Sequence, residues 1–165
     1  MTMYSTRRNS RKGARLVTCR KDLQRGATAV EFALVFPLFF SIFYVIVTFS
    51  MIFVAQQSLT LATAEGARAA LNYQSASTVP GALGLRATAA CNTATHMVAQ
   101  MIQTATCQTA QATCSYDATM TCIAVTLTYN YAASPLIPTL PGLGLLLPQN
   151  LSGTATVQLN PVNIL

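Results

Sequence analysis

A run of 24 residues without a charged side chain, Phe32–Ala55, constrains the fold of this 165-residue chain more than any other feature. About 20 apolar residues in a helix suffice to cross a bilayer, whereas a cleaved secretory signal has an apolar region of roughly 7–15 residues. The run therefore predicts one membrane-spanning helix. Because the Ala-rich residues that follow contain no proline, we expect the helix to extend over residues 27–71 and to protrude beyond the membrane.

Basic residues are concentrated before this run. Residues 1–25 contain eight Lys or Arg and one Asp, whereas residues 26–165 contain two Arg and three acidic residues. This asymmetry predicts an N-terminus in the cytoplasm and a C-terminal part outside the membrane. We expect residues 1–25, which have no apolar periodicity, to lack regular structure or to bind anionic lipid loosely. Nucleic-acid binding is not expected, because it needs basic residues spread over a folded face.

The residues after the helix predict a small extracytoplasmic domain over 72–165. Alternating apolar and polar residues predict strands at Cys122–Tyr131 and Leu151–Leu159. A loop is expected over Asn72–Gly84 and a second helix over Ala87–Thr106. The sheet needs a cover for its apolar face, and the protruding first helix is the candidate. The fold class is therefore α+β: a long N-terminal membrane-spanning helix, one further helix and a small antiparallel sheet.

An apolar segment, Leu136–Leu147, joins the two predicted strands and is interrupted by proline and glycine. It is too short and too broken to span a bilayer. We expect it either to cover the sheet or to contact a partner.

Four cysteines lie in the predicted outer domain: Cys91, Cys107, Cys114 and Cys122. In an oxidising compartment they predict two disulfides, with three possible connectivities. The spacing most simply pairs Cys91 with Cys107 and Cys114 with Cys122, and the other two connectivities stay open. The spacing does not resemble the C-x2-C knuckles of zinc sites, so no metal site is expected.

Candidate catalytic groups are scarce in the outer domain. His96 is the only histidine of the chain, and Asp117 is the only acidic residue after Glu65. General acid–base catalysis needs positioned titratable groups. We therefore expect no enzymatic activity, no catalytic residue and no cofactor.

A motif lies where the basic segment meets the apolar run. Gly26 ends the basic segment, Glu31 follows five residues later, and Phe32 opens the apolar run. This resembles the processing site of type IV prepilins, which a membrane-embedded aspartyl peptidase cuts after the glycine. The resemblance implies that Ala27 becomes the new N-terminus and that Glu31 pairs with the terminal amine of a neighbouring subunit. Alternatively, Gly26 is a loop residue and Glu31 a first-turn carboxylate favoured by the helix dipole.

A wider set of residues resembles the TadE-like family, the minor pilins or pseudopilins of tight-adherence (Flp) pili. These are Arg25–Leu34, Pro37 and Ala64–Arg68. The resemblance implies a processing site at Gly26, Ala27, Glu31 and Phe32, subunit packing through Glu31 and Pro37, and a stalk motif at Glu65, Gly66 and Arg68. Glu65 and Arg68 are also spaced to pair on one helix face.

The resemblance also implies a division of the chain and a set of partners. Residues 1–26 form a cleaved cytoplasmic leader, 27–71 the transmembrane helix and stalk, and 72–165 the outer domain. The protein is a single-pass protein of the inner membrane, and its partners are other pilin-like subunits, the assembly machinery, prepilin peptidase and membrane lipid. The alternative is an uncleaved, signal-anchored domain that binds a cell-surface or envelope partner.

Overall fold

A computed structural model describes residues 21–139, 144–160, 162 and 164. The elements are two α-helices, α1 (Lys21–Ala69) and α2 (Val79–Val98), three strands, β1 (Thr106–Thr113), β2 (Thr121–Asn130) and β3 (Asn150–Leu159), and a 3-10 turn at Gly144–Leu146. One long apolar helix, one further helix and a three-stranded antiparallel sheet confirm the predicted α+β class.

The chain divides into two compact units, Met1–Phe43 and Tyr44–Leu165. The described part of the first unit is helical from Lys21 onward. The expectation of no regular structure up to residue 25 is therefore wrong for residues 21–25, while residues 1–20 of the predicted leader lie outside the described residues. Lys, Leu, Gln and Arg are good helix formers, and extending an existing helix is easier than nucleating one.

In the second unit, the C-terminal part of α1 packs on the sheet. Leu59 of α1 belongs to the same buried cluster as Val125 and Leu127 of β2. A Cβ atom added to Gly153 of β3 would lie 2.7 Å from the carbonyl oxygen of Leu59. The strand therefore contacts the helix backbone directly, and the first helix covers the sheet as predicted.

The sheet has the strand order β1-β2-β3, with both pairs antiparallel. Strands β2 and β3 begin and end within one residue of their predicted bounds. Ile123, Val125 and Leu127 of β2 are fully buried, so the alternation pattern identified the inward face correctly. Opposite β2, Val157 pairs with Ile123 and Ala155 with Val125.

The segment between α1 and β2 differs from the prediction. Helix α2 begins at Val79 within the expected loop, because the Thr78 side chain caps it and Pro80 occupies its first turn. It ends at Val98 rather than at Thr106, and residues 106–113 form a strand that was not predicted. Strand β1 lacks large alternating apolar residues, and its pairing with β2 supplies the backbone partners.

The proline-rich segment between β2 and β3 covers part of the core. Leu136 and Leu147 pack against the buried cluster, which confirms the covering role expected for these two residues. Leu146, in the 3-10 turn, is 69% exposed. Residues 140–143 lie outside the described part of the chain.

Two disulfides connect the elements of the second unit. Cys91–Cys107 joins α2 to β1, with the Cα atoms 5.7 Å apart. Cys114–Cys122 closes the connection between β1 and β2, with the Cα atoms 5.1 Å apart. The structure thus contains the simplest of the three pairings.

Candidate processing segment and assembly helix

The segment around Gly26 is part of helix α1. Gly26 is exposed, and a Cβ atom added there would meet nothing within 4 Å. A peptidase cleft that takes an extended backbone would therefore have to unwind this turn. Glycine destabilises a helix interior by about 1 kcal/mol relative to alanine, so Gly26 lowers the cost of that unwinding.

Glu31 is exposed on α1, one turn beyond Gly26. Among the residues whose side chains the structure describes, none forms an ion pair with its carboxylate; the ion pair found among those residues joins Glu65 and Arg68. A carboxylate at the edge of an apolar helix is costly in a membrane unless a cation pairs with it. Glu31 therefore offers an acceptor for a positive group supplied from outside the described chain.

Three phenylalanines follow Glu31 along one helix face. The ring centroids of Phe32 and Phe36 are 5.2 Å apart, and those of Phe36 and Phe40 are 6.2 Å apart. Other apolar residues of this unit are exposed around the remaining circumference: Val30, Leu34, Val35, Leu38, Phe39, Ile42 and Phe43. A helix that is apolar on all sides is typical of a membrane span or of a helix buried among others.

Helix α1 is long and apolar enough over Thr28–Ala69 to cross a membrane. Two of its serine hydroxyls bond within the helix. Ser41 Oγ donates to the carbonyl of Pro37 at 2.7 Å, and Ser50 Oγ donates to that of Ile46 at 2.7 Å. Because these hydroxyls bond to the preceding turn, they present little unsatisfied polarity to lipid.

Pro37 lies inside α1 and is exposed. Proline has no backbone N–H, so the carbonyl of Ala33 loses its usual helical donor. The described helix nevertheless continues through this position.

The predicted stalk motif belongs to the folded unit. Glu65 and Arg68 form an ion pair at 2.6 Å, and the Arg68 side chain is 73% exposed. Gly66 is buried against α2, where an added Cβ atom would lie 2.7 Å from the Ala90 carbonyl oxygen and 2.9 Å from Ala94 Cβ. The glycine therefore permits close contact between the two helices, and the exposed ion pair flanks that contact.

Sequence reasoning missed the role of Arg86. Its side chain is buried, with 3% of its surface exposed. Nη1 donates to the carbonyls of Ala70 and Leu71 at 3.5 and 3.4 Å, and Nη2 donates to that of Ile164 at 3.2 Å. The guanidinium thus caps the C-terminus of α1, where carbonyls lack helical donors and the dipole favours a cation. The sequence offers one indication of this role: Arg86 is the only Lys or Arg after Arg68.

The titratable groups set aside in the sequence lie in loops or on surfaces. The Asp117 carboxylate accepts hydrogen bonds from the Thr119 hydroxyl at 2.6 Å and from its backbone N–H at 2.9 Å. These bonds lower the pKa of Asp117. Within the described residues, no group of three or more His, Cys, Asp or Glu side chains could hold a metal ion.

The expected site residues therefore fall into two places. Gly26, Glu31, Phe32 and Pro37 lie on α1 in the first unit, whereas the 65–68 motif packs in the second unit. The first set is exposed on the apolar helix, and the second shapes the folded domain.

Comparison with known proteins agrees with these two motifs. The family model of TadE-like proteins matches residues 26–68, from the glycine of the processing motif to Arg68. No curated protein and no solved structure matches the chain. Over residues 26–68, the chain is similar to the TadE-like family.

Proposed function

We propose that this protein is a minor pilin or pseudopilin of a tight-adherence (Flp) pilus, processed by prepilin peptidase after Gly26. Its family match indicates involvement in a Tad pilus. The observation that supports the more specific role is the exposed Glu31 carboxylate. It lies on a helix that is apolar on all sides, and it has no ion-pair partner among the residues whose side chains the structure describes.

Cleavage after Gly26 would supply a cation that can pair with the Glu31 carboxylate. It removes all eight basic residues that precede Gly26 and leaves a primary amine on Ala27. When apolar helices of several subunits pack together, an unpaired Glu31 opposes packing, while an amine from a neighbour offsets its desolvation. Pairing between Glu31 and this amine also selects one register between neighbouring helices.

The proposed topology places the N-terminus in the cytoplasm and the second unit outside the inner membrane. The excess of Lys and Arg before the apolar run favours this orientation. The two disulfides of the second unit favour it as well, because disulfides persist in oxidising compartments. Partners in this account are other pilin-like subunits, the assembly machinery, prepilin peptidase and membrane lipid.

The role of Glu31 is tested by Glu31→Gln. We expect normal membrane insertion and loss of co-assembly, because the amide keeps the shape of the side chain without its charge. Co-purification with other pilin subunits and the yield of sheared pili measure the effect. Glu65→Gln is the matched control, since its carboxylate pairs with Arg68 within the same helix. Normal piliation in Glu31→Gln would contradict the pairing role.

Processing is tested by Gly26→Ala. The added methyl group meets no described atom within 4 Å, so the variant should fold and insert normally. We expect it to retain residues 1–26, because a side chain hinders binding in a narrow cleft and alanine strengthens the helix that must unwind. Intact mass reads out the result. Processing at the normal rate would show that Gly26 is not recognised and would favour an uncleaved anchor.

A further inference from the structure

Strand β1 contributes little to the core of the second unit. It lies at the edge of the sheet, and only Cys107 and Thr109 of its eight residues are partly buried. On the inward face of the sheet, Thr109 and Gln111 lie opposite the buried Val125 and Ile123 of β2. Because these two side chains of β1 are polar, detachment of the strand would expose little apolar surface of its own.

The other elements of the second unit are in contact with one another independently of β1. Helix α2 packs on α1 where Gly66 meets the Ala90 carbonyl and the Ala94 side chain. Strand β2 pairs with β3 along its whole length, Thr121–Asn130 with Asn150–Leu159, and α1 packs on this pair. An edge strand with few buried side chains is among the parts of a fold that open most easily, whereas these packed elements belong to the parts that open last.

The two disulfides hold the two ends of β1. Cys107 is the second residue of the strand, and its partner Cys91 follows Ala90 at the contact between the two helices. Cys114 directly follows the last residue of the strand, and its partner Cys122 lies in β2. Each bond closes a segment of the chain, with sequence separations of 16 and 8 residues. A closed segment has fewer open conformations, so the bonds stabilise a strand that its own side chains hold only weakly.

We propose that β1 is a redox-dependent strand, which pairs stably with β2 only while both disulfides are present. In the reduced chain, β1 leaves the sheet and the backbone edge of β2 that it covers becomes free to accept another strand. Helices α1 and α2 and the pair of β2 with β3 stay folded. The inference concerns the second unit alone and does not depend on processing at Gly26.

The redox step that closes β1 is thiol–disulfide exchange. A thiolate of one cysteine attacks the disulfide of the oxidant and forms a mixed disulfide, which the second cysteine of the pair then resolves. For each bond formed, two thiols of the chain lose two electrons and two protons, and the disulfide of the oxidant leaves as two thiols. The oxidant is a small disulfide such as oxidised glutathione or an oxidised dithiol protein. In the proposed topology, β1 would therefore join the sheet after the second unit has left the reducing cytoplasm.

Hydrogen exchange of the backbone amides, measured by mass spectrometry on the full chain in detergent, tests the proposal. The Cys19→Ser variant serves as the parent, so that only the four paired cysteines respond to a phosphine reductant. Peptides covering residues 106–113 report on β1, and peptides covering residues 150–159 report on β3. Reduction should accelerate exchange in 106–113 by about 30-fold or more, the effect of losing a disulfide that limits opening. Exchange in 150–159 should change little, and oxidised glutathione should restore slow exchange in 106–113.

Two double variants remove one disulfide each without a reductant: Cys91→Ser with Cys107→Ser, and Cys114→Ser with Cys122→Ser. Both should show faster exchange in 106–113 than the parent, with 150–159 still protected. Exchange in 106–113 that stays slow in the reduced protein or in both double variants would overturn the proposal. Equal acceleration in 106–113 and 150–159 would also overturn it, because the disulfides would then hold the whole unit. So would a loss of protection that oxidised glutathione does not reverse.

Discussion

At the scale of single residues, the same residue type plays opposite roles in different places. Arg68 lies on the surface and pairs with Glu65 one turn away. Arg86 is buried and donates to the Leu71 carbonyl just after α1 and to the Ile164 carbonyl. Exposed ion pairs contribute little to stability, while buried donors that satisfy helix-end carbonyls contribute more. The two arginines therefore form a natural pair for comparison.

Replacing Arg86 by methionine should lower the free energy of unfolding by about 2–3 kcal/mol, because the carbonyls at the end of α1 lose charged donors. Arg68→Met should change it by less than about 1 kcal/mol. Urea unfolding of the full chain in detergent, followed by circular dichroism, measures both. Equal effects in the two variants would contradict the capping role of Arg86.

The glycines at residues 66 and 84 offer a second comparison. Gly66→Ala should destabilise the second unit by about 1–3 kcal/mol, because the methyl group collides with the Ala90 carbonyl. Gly84→Ala lies in α2 with no atom within 4 Å of the added methyl group, and should be neutral or stabilising by up to about 1 kcal/mol. The same unfolding measurement applies, and a stable Gly66→Ala variant would argue against close packing of the helices.

At the scale of elements, the tyrosines around the end of β2 make stability dependent on alkaline pH. Tyr129 and Tyr131 are buried, with ring centroids 6.2 Å apart. Burial raises the pKa of Tyr129. Burial also raises the pKa of Tyr131, and the nearby Tyr129 and Tyr44 raise it further.

Below the ordinary tyrosine pKa of about 10, both folded and unfolded states are protonated and these groups leave stability unchanged. Above it, the unfolded chain ionises first, so stability falls until the folded-state pKa is passed. The free energy of unfolding, measured as pH rises above the ordinary tyrosine pKa, should show this decrease. In the Tyr131→Phe variant, the decrease with pH should be smaller. Recovery of the original free energy of unfolding on return to neutral pH controls for disulfide exchange at alkaline pH. An identical pH profile in Tyr131→Phe would contradict this assignment.

An element can be predicted from the sequence when residues close together in the chain determine its stability. Strands β2 and β3 carry alternating residues that face one core, so their bounds were predictable within one residue. Strand β1 has only Cys107 and Thr109 partly buried among eight residues, and no local pattern reveals its pairing with β2. The start of α2 is hard to predict because Pro80 and Gly81 also suit a loop, although proline is favoured in a first helical turn.

The candidate functional residues and the packing residues show the same contrast. Gly26 and Glu31 could be selected from their spacing relative to the basic segment and the apolar run. The packing role of Gly66 and the capping role of Arg86 depend on α2 and on Ile164, which are distant in sequence. Such contacts depend on the tertiary structure, so they produce no periodic pattern in the sequence.

At the scale of the whole molecule, the proposed function depends on the change that cleavage after Gly26 would make. The full chain has a formal net charge of +6 and an isoelectric point near 9.4. Residues 27–165 contain two Arg and three acidic residues, so removal of the leader turns a basic protein into a nearly neutral one. In the proposed account, the loss of basic flanking charge and the new amine on Ala27 would together convert an anchored helix into one that can pack with other subunits.

The most direct test of this account is the intact mass of the wild-type protein from cells with and without prepilin peptidase. We predict that the protein begins at Ala27 when the peptidase is present and retains residues 1–26 when it is absent. A protein that keeps residues 1–26 in the presence of active peptidase would contradict the processed-pilin account.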